Sequence, residues 1–242
     1  MVGRILAHLK LRGVLKELPR TGISTRKRRW QRPYAVRKPK WYEIKRPGDV
    51  VQVDTLDVRP LPGVVLKHFT ARDMVSTWDV VEAHTRATAT TAAGFLERLL
   101  QRMPFPVRAI QVDGGSEYQA AFEESCEQRG LKLFVLPPRS PKLNGCVERT
   151  QRTHTEEFYE VTNFSLDVAS LNRELLAWEN TYNTIRPHQA LGYLTPLAFW
   201  KRWQEEHPPH KENGTPDKVP DIPSPSDTTS LPHTTLKEVK CH

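Results

Sequence analysis

The fold of this chain is most constrained by three β-branched runs in succession, which then give way to alternating helical and strand-like segments. The runs are "VVQVDTLDV" (50–58), "GVVLKHFTARD" (63–73) and "TWDVVEAHT" (77–85), separated by Pro-Gly and by polar turn residues. Val and Thr at this density, bounded by turn signals, are typical of strands. The pattern predicts a meander of three strands.

The segments that follow alternate between helical and strand-like patterns. Ala92, Phe95, Leu99 and Met103 recur at helical spacing, and Pro104 ends that helix. We then expect a strand at 107–115, a helix capped by Ser116 at 116–130 and a second strand at 131–137. Two more helices are expected, one after the loop "PRSPKLNG" and one at 166–186. This order predicts an α/β domain with a mixed five-stranded sheet and helices on both faces.

Positive charge is concentrated at the start of the chain. Residues 1–48 hold 15 Lys and Arg against two acids, whereas the remainder is net acidic. The densest cations are Arg26, Lys27, Arg28 and Arg29, and the aromatic residues interleaved with cations are Trp30, Tyr34, Trp41 and Tyr42. A basic arm on an acidic body is expected where the arm follows a polyanion, with rings stacking on bases. The alternative for the cations is a merely solvated basic linker, and the alternative for the rings is anchoring of the linker to the body, which we expect for Trp41 and Tyr42.

Composition divides the chain into four regions: a basic arm (1–47), a core (48–163), a helical C-terminal part of that core (164–203) and a tail (204–242). The tail holds seven prolines and no Phe, Trp or Tyr, so it is predicted to be disordered. No apolar run approaches the roughly 18 residues of a membrane span. The three cysteines, Cys126, Cys146 and Cys241, form no C-x-x-C pair. We therefore expect a cytoplasmic protein without a membrane partner.

Three carboxylates are candidates for a shared site. Asp54 lies inside a largely apolar strand, where an unpartnered charge would be costly. Asp113 stands where a strand runs into Gly114 and Gly115, and ligands collect at such strand ends in open α/β sheets. Glu148 follows a Pro/Asn/Gly loop in the first turns of a basic helix. A simple surface pair with Arg152, four residues on, is the alternative for Glu148.

Two aspartates and a glutamate brought together would repel one another unless divalent cations lay between them. Ligand sets made only of oxygen suit Mg²⁺ or Mn²⁺. Two such ions can stabilise the attacking and leaving oxygens of a phosphoryl displacement. The residues alone therefore indicate metal-assisted phosphodiester chemistry beside an arm that can hold nucleic acid, although 28 acids also make chance triples easy.

Four segments carry a resemblance to a known family. "VQVD", "VDGGSEY", "PRSPKLNGCVERTQRTHTEEFY" and "YNTIRPHQALGYLTPLAFW" occur in this order. Together they closely resemble the catalytic core of bacterial insertion-sequence transposases related to retroviral integrases. The similarity spans roughly residues 44–200, and the "SPxxNGxxER" and "YNxxRPHxALGYxTP" patterns are its specific parts.

The resemblance implies a ribonuclease-H-like fold and an Asp-Asp-Glu triad formed by Asp54, Asp113 and Glu148, which hold two Mg²⁺ or Mn²⁺ ions. It implies nicking of double-stranded DNA at element ends, followed by attack of the freed 3′-hydroxyl on target DNA. A dimer or higher oligomer on DNA, associated with the nucleoid, is expected. Lys142, Arg149 and Arg152, together with the basic arm, are the expected DNA contacts.

The sequence also departs from the family pattern. Relatives often carry Lys or Arg seven residues after the glutamate, where this chain has Thr155 beside His154. "MVGRILAHLKLRGVL" resembles the last helix of a helix-turn-helix, so an inactive, truncated DNA-binding copy is the alternative function. A ribonuclease-H-type nuclease is a further alternative, against which the "RPHQALGYLTP" segment argues.

Several other polar residues have structural interpretations. Asp57 is expected to be a surface acid, and Asp73 to cap a turn. Glu117 fits the first turn of a helix, where the helix dipole favours an acid. A structural hydrogen bond near a turn is expected for His188, and Asn144 is expected to cap the Glu148 helix.

Overall fold

A computed structural model describes residues 8–9, 11–14, 34–137 and 143–208 of the chain. The chain divides into two compact units, Met1–Trp203 and Gln204–His242. All five strands lie in the first unit. No helix in the described ranges is both long and apolar enough to cross a membrane.

The core of the first unit is a single five-stranded sheet. Its strands are β1 (Val51–Val58), β2 (Leu66–Asp73), β3 (Asp79–His84), β4 (Ala109–Val112) and β5 (Lys132–Val135). They lie in the order β3-β2-β1-β4-β5. β1 pairs antiparallel with β2, β2 pairs antiparallel with β3, and β1, β4 and β5 run parallel. The predicted mixed five-stranded sheet is confirmed.

Five α-helices accompany the sheet within 34–137 and 143–208. They are α1 (Ala89–Arg102), α2 (Ala121–Gln128), α3 (Gly145–His154), α4 (Val168–Thr184) and α5 (Pro196–Glu206). A π-helical turn, Thr155–Tyr159, continues α3. Because α5 runs through Glu206, the first residues of the predicted disordered tail are helical, and 209–242 lie outside the described residues.

The single helix predicted over 116–130 is wrong. The chain forms a short 3₁₀ turn, Ser116–Tyr118, and α2 begins only at Ala121, after Ala120 adopts a φ of +47°. The side chain of Tyr118 is fully buried, and its hydroxyl lies 2.8 Å from that of Thr55 on β1. This tertiary contact fixes the 3₁₀ turn against the sheet, and the left-handed residue after it redirects the chain into α2.

The two faces of the sheet differ in chemistry. Alternate residues such as Val53, Phe69 and Val112 form an apolar core with α1 and α2. The opposite face carries polar side chains near its centre, including Gln52, His68 and Thr70. α3 packs on β1 and β2 over this polar face, while α4 packs on β3. The face beneath α3 is therefore the one that presents functional groups.

The C-terminal part of the predicted arm packs on the outer strand β5. The Val36 amide donates to the Leu133 carbonyl (2.9 Å), and the Val36 carbonyl accepts from the Val135 amide (2.8 Å). The Tyr42 ring packs edge-on against Phe134, as expected for an anchor, whereas Trp41 remains 51% exposed. Trp30 lies outside the described residues, and the predicted domain boundary at residue 47 stays a prediction.

Candidate active site

Asp54 and Asp113 are brought side by side by the register of two parallel strands. In the β1–β4 pairing, Gln52 lies opposite Gln111 and Val53 lies opposite Val112. Asp54 is the next residue of β1, and Asp113 is the residue directly after the end of β4. Because paired strands lie about 4.8 Å apart and side chains alternate between faces, the two carboxylates leave the same face of neighbouring strands. Both are half-buried.

The turn after β4 holds the carboxylate of Asp113. The Gly115 amide donates a hydrogen bond of 2.8 Å to Oδ1 of Asp113. A Cβ atom at position 115 would lie 2.9 Å from that oxygen and 2.7 Å from Oε2 of Glu117. A side chain at position 115 would therefore push one or both of these carboxylates out of their present positions.

Glu148 lies in the first turn of α3 and is exposed. It forms no ion pair among the residues that the structure describes. The alternative of a surface pair with Arg152 is wrong, since Nε of Arg152 lies 2.7 Å from Oε1 of Glu156 instead. The Glu148 carboxylate is thus left available at the surface of the helix.

Two glutamines attach the start of α3 to the sheet. Nε2 of Gln52 and Nε2 of Gln111 both donate to the Leu143 carbonyl, at 2.9 Å and 3.2 Å. Oε1 of Gln52 also accepts from the Val147 amide at 3.1 Å. Asn144 occupies the N-cap position, but its side chain forms no capping hydrogen bond, so the capping role predicted for it is wrong. Gln52, on strand β1, accepts the hydrogen bond from the Val147 amide that an Asn144 cap would have accepted.

The electrostatics of Asp54 link the three predicted carboxylates. The pKa of Asp54 is raised to about 6, mainly by burial and in addition by the charges of Asp113 and Glu148, against the lowering effect of the Thr55 amide. Gln151 on α3 also acts to lower this pKa. Its buried Nε2 forms no hydrogen bond of ordinary geometry in the described ranges, but its effect on the pKa places it near the Asp54 carboxyl. Both other acids therefore lie within electrostatic range of Asp54.

The donor chemistry of this group fits a hard divalent cation, because every candidate ligand is a carboxylate oxygen. Within the described part of the chain, however, no group of three or more His, Cys, Asp or Glu side chains is arranged closely enough to hold a metal ion. Burial and, to a smaller degree, the charges of Asp113 and Glu148 disfavour the charged form of Asp54, and a bound cation would offset both effects.

The predicted DNA contacts are only partly described. Arg26, Lys27, Arg28, Arg29 and Lys142 lie outside the described residues. Arg149 and Arg152 are exposed on α3, the helix that carries Glu148, and Arg152 is paired with Glu156.

The structural interpretations of three other acids agree with their surroundings. Asp57 is exposed and forms a 2.6 Å ion pair with Lys67, as expected of a surface acid. Asp73 caps its turn by accepting from the Ser76 amide at 2.6 Å. Glu117 lies in the 3₁₀ turn after Asp113.

His154, singled out beside the unusual Thr155, is a core residue. Its side chain is fully buried, with Nδ1 3.1 Å from Nε2 of His68 and Nε2 2.7 Å from Oδ2 of Asp79. The last two atoms are not aligned for a hydrogen bond. His154 therefore anchors the end of α3 to the sheet and is not presented to solvent.

His188 also has a structural role, and its burial leads us to expect that the protein loses stability in acid. It is buried, and its Nε2 lies 3.5 Å from the Tyr182 carbonyl. Burial, together with the charges of Arg72 and Arg186, lowers its pKa to about 4. Between pH about 6.5 and 4 the unfolded chain binds a proton that the folded chain excludes, so stability falls as pH drops through this window.

Replacement by Gln should remove this contribution. We expect the stability of the wild type to fall by roughly 2–3 kcal/mol more than that of His188→Gln between pH 7 and pH 4.5. Urea unfolding at the two pH values measures the difference. Equal losses in both proteins would contradict the assignment.

Gln52 and Gln111 are the site residues that the sequence analysis missed. A signal for them exists, because the tripeptide Gln-Val-Asp occurs twice, at 52–54 and 111–113. With a strand period of two, each Gln shares a face with its Asp.

The fold is that of integrase catalytic cores, which is ribonuclease-H-like. The catalytic core domain of BIV integrase superposes with a TM-score of 0.51 at 19% identity, covering 65% of this chain and 96% of that one. A chain in the structure of the simian T-cell lymphotropic virus intasome with PP2A regulatory subunit B56 gamma gives 0.54 at 20% identity, covering 80% of this chain. The present chain spans 65% of that chain, less than two thirds of its length.

Sequence comparison agrees with the fold. Residues 129–196 match the integrase core domain family. The insertion element IS407 uncharacterized 31.7 kDa protein of Burkholderia multivorans is 23% identical over 202 residues, covering 82% of this chain and 72% of the relative. The resemblance to insertion-sequence proteins with an integrase-type core is thus confirmed.

Proposed function

We propose that this chain is a transposase that nicks double-stranded DNA and joins strands in a reaction dependent on divalent metal. The observation that carries the proposal is the β1–β4 register, which brings Asp54 and Asp113 next to each other, with Glu148 close enough to raise the pKa of Asp54. The match to the integrase core domain family and the similarity to an insertion-element protein support the reaction class.

In this proposal Asp54, Asp113 and Glu148 would hold two Mg²⁺ or Mn²⁺ ions. When bound, such ions activate a water or a 3′-hydroxyl and stabilise charge on the phosphodiester oxygens. The Gly115 amide holds Asp113 in place through Oδ1. Gln151 lies beside Asp54 on the helix that carries Glu148 and acts to lower the pKa of Asp54, which favours its charged form.

Positively charged residues would hold the DNA. Arg149 is exposed one residue after Glu148, so a backbone phosphate bound there would lie next to the acidic site. Arg152, Lys142 and the arm residues Arg26, Lys27, Arg28 and Arg29 would extend this contact. Joining of two DNA ends implies an oligomer on DNA in the cytoplasm, and light scattering of the protein with and without end DNA measures this assembly.

Strand joining tests the proposal. Purified chain is incubated with labelled DNA carrying the sequences that flank its gene, in Mg²⁺, in Mn²⁺ and in a chelator. We expect metal-dependent nicking and joining by the wild type and by Glu156→Gln, the matched control on the same helical segment. Glu148→Gln should give no product above background while retaining DNA binding. If the wild type binds DNA and cuts none in either metal, the transferase proposal fails and a DNA-binding role replaces it.

A further inference from the structure

We propose that Gln52 and Gln111 are positioning residues, which together fix the start of α3 so that Glu148 is held against Asp54 and Asp113. This inference rests on the proposed function, because it assigns the two glutamines a role in assembling the carboxylate site. Neither glutamine is a metal ligand in this scheme, and each acts through the backbone of the segment that carries Glu148.

The first observation is the convergence of both side chains on one acceptor. Gln52 and Gln111 are 1% and 3% exposed, and each donates Nε2 to the Leu143 carbonyl. They lie opposite one another in the β1–β4 pairing, so both approach Leu143 from adjacent strands. A carbonyl oxygen has two lone pairs, and both are used here. Leu143 itself is 53% exposed, so its side chain does not anchor the segment.

The second observation is that the helix lacks a local cap. The N-cap residue of α3 is Asn144, which is 5% exposed, and its Oδ1 has no hydrogen-bond partner among the described residues. The Val147 amide, which a capping side chain would accept, donates instead to Oε1 of Gln52. The orientation of the first turn of α3 therefore depends on a strand of the sheet and is not set by its own loop.

The third observation is the spacing along each strand. Each glutamine precedes its aspartate by two residues, so it points to the same face and lies about 6.6 Å further back. Glu148 follows directly after Val147, the residue whose amide Gln52 accepts. The same two strands thus present the aspartates and fix the backbone that carries the glutamate.

The chemistry of the side chain is specific. Gln52 both donates to Leu143 and accepts from Val147, and only an amide of this length provides both groups at once. Gln52→Glu keeps the acceptor and loses the donor, and Gln52→Met loses both while keeping a similar shape. Gln111→Met removes only one of the two donors to the Leu143 carbonyl, so its effect should be smaller.

A matched control exists on another helix. Asn172 of α4 also forms two hydrogen bonds to the sheet. Its Nδ2 donates to the Ala83 carbonyl at 2.9 Å, and its Oδ1 accepts from the Ala83 amide at 2.7 Å. Asn172→Leu therefore removes a comparable helix-to-sheet attachment that does not involve the carboxylate site.

Two measurements on the purified full chain test the role. Calorimetric titration with Mn²⁺ should show affinity weakened at least about tenfold in Gln52→Met, less in Gln111→Met and unchanged in Asn172→Leu. Hydrogen–deuterium exchange of residues 143–150 should be faster in Gln52→Met than in the wild type. In Asn172→Leu it should equal that of the wild type. Thermal unfolding without metal measures the general destabilisation, which should be similar in these two variants.

The outcomes separate the two proposals. Absence of Mn²⁺ binding by the folded wild type would overturn the proposed function, while the exchange measurement would still decide whether Gln52 fixes α3. Wild-type Mn²⁺ affinity in Gln52→Met, or exchange over 143–150 equal to that of the wild type, would overturn the positioning role. If Gln52→Met does not fold, Gln111→Met carries the test: Mn²⁺ affinity and exchange over 143–150 that both equal those of the wild type would overturn the positioning role.

Discussion

Replacement of Asp54 by Asn should abolish strand joining and, at neutral pH, raise the stability of the metal-free protein. For catalysis, removal of one carboxylate from the site should lower the rate by at least about 1,000-fold, or about 4 kcal/mol in barrier. The same replacement should increase the free energy of unfolding at neutral pH. Burial and the charges of Asp113 and Glu148 raise the pKa of Asp54 to about 6, so its charged form is unfavourable in the folded chain.

The pH dependence follows from this raised pKa. Between pH about 4 and 6 the folded chain binds a proton at Asp54 that the unfolded chain has released. The contribution of Asp54 protonation to the stability of the folded chain is therefore complete below pH about 4 and is lost as pH rises through 6. At pH 7.5 the buried negative charge should cost roughly 1–3 kcal/mol, which Asp54→Asn removes.

Joining assays and urea unfolding at pH 5 and 7.5, without metal, measure both effects. Asp57→Asn is the control, since Asp57 lies on the same strand but is exposed and paired with Lys67. It should retain joining and gain no stability at pH 7.5. A lower stability of Asp54→Asn than of the wild type at pH 7.5 would contradict the electrostatic account.

The second large effect concerns folding and not catalysis. His154→Leu should lower the free energy of unfolding by about 3–5 kcal/mol, because it leaves the almost fully buried Asp79 carboxylate without its 2.7 Å partner. The Nε2 atom of His68 would lose its contact with His154 as well. Urea unfolding at pH 7 measures the loss.

A double variant tests the cause. Asp79→Val combined with His154→Leu replaces both polar side chains by apolar ones and should recover at least about 1 kcal/mol of the loss. The exposed pair of Arg152 and Glu156 is the comparison, and Glu156→Gln should leave the free energy of unfolding nearly unchanged. Additive losses in the double variant would show that His154 contributes through packing alone.

Local patterns predict the elements of this fold, but not their exact course. The β-branched runs identify β1, β2 and β3 because strand composition reflects half-buried packing, which is local in sequence. The break between Tyr118 and Ala121 was missed because it follows from a contact with Thr55, 63 positions away. Helical spacing over 116–130 carries no trace of that contact.

The candidate site shows the same division. Asp54, Asp113 and Glu148 stand out by residue type and by resemblance, yet the register that aligns the two aspartates is a property of strand pairing. The capping residue predicted for α3, Asn144, was wrong for a related reason, since Gln52 competes for the same amide from a distant strand. The repeated Gln-Val-Asp shows that a short motif can still reveal such residues when strand periodicity is applied to it.

The pairing of Val36 with β5 has a practical consequence for how this core is isolated. An unpaired edge strand offers its N–H and C=O groups to other molecules and promotes aggregation. On the outer side of the sheet, Val36 accepts a hydrogen bond from the Val135 amide and donates one to the Leu133 carbonyl. The Tyr42 ring packs against Phe134. A fragment that starts at residue 48 would keep all five strands but lose this cover. A fragment that starts at residue 34 retains it, and that is the boundary at which a soluble core should be sought.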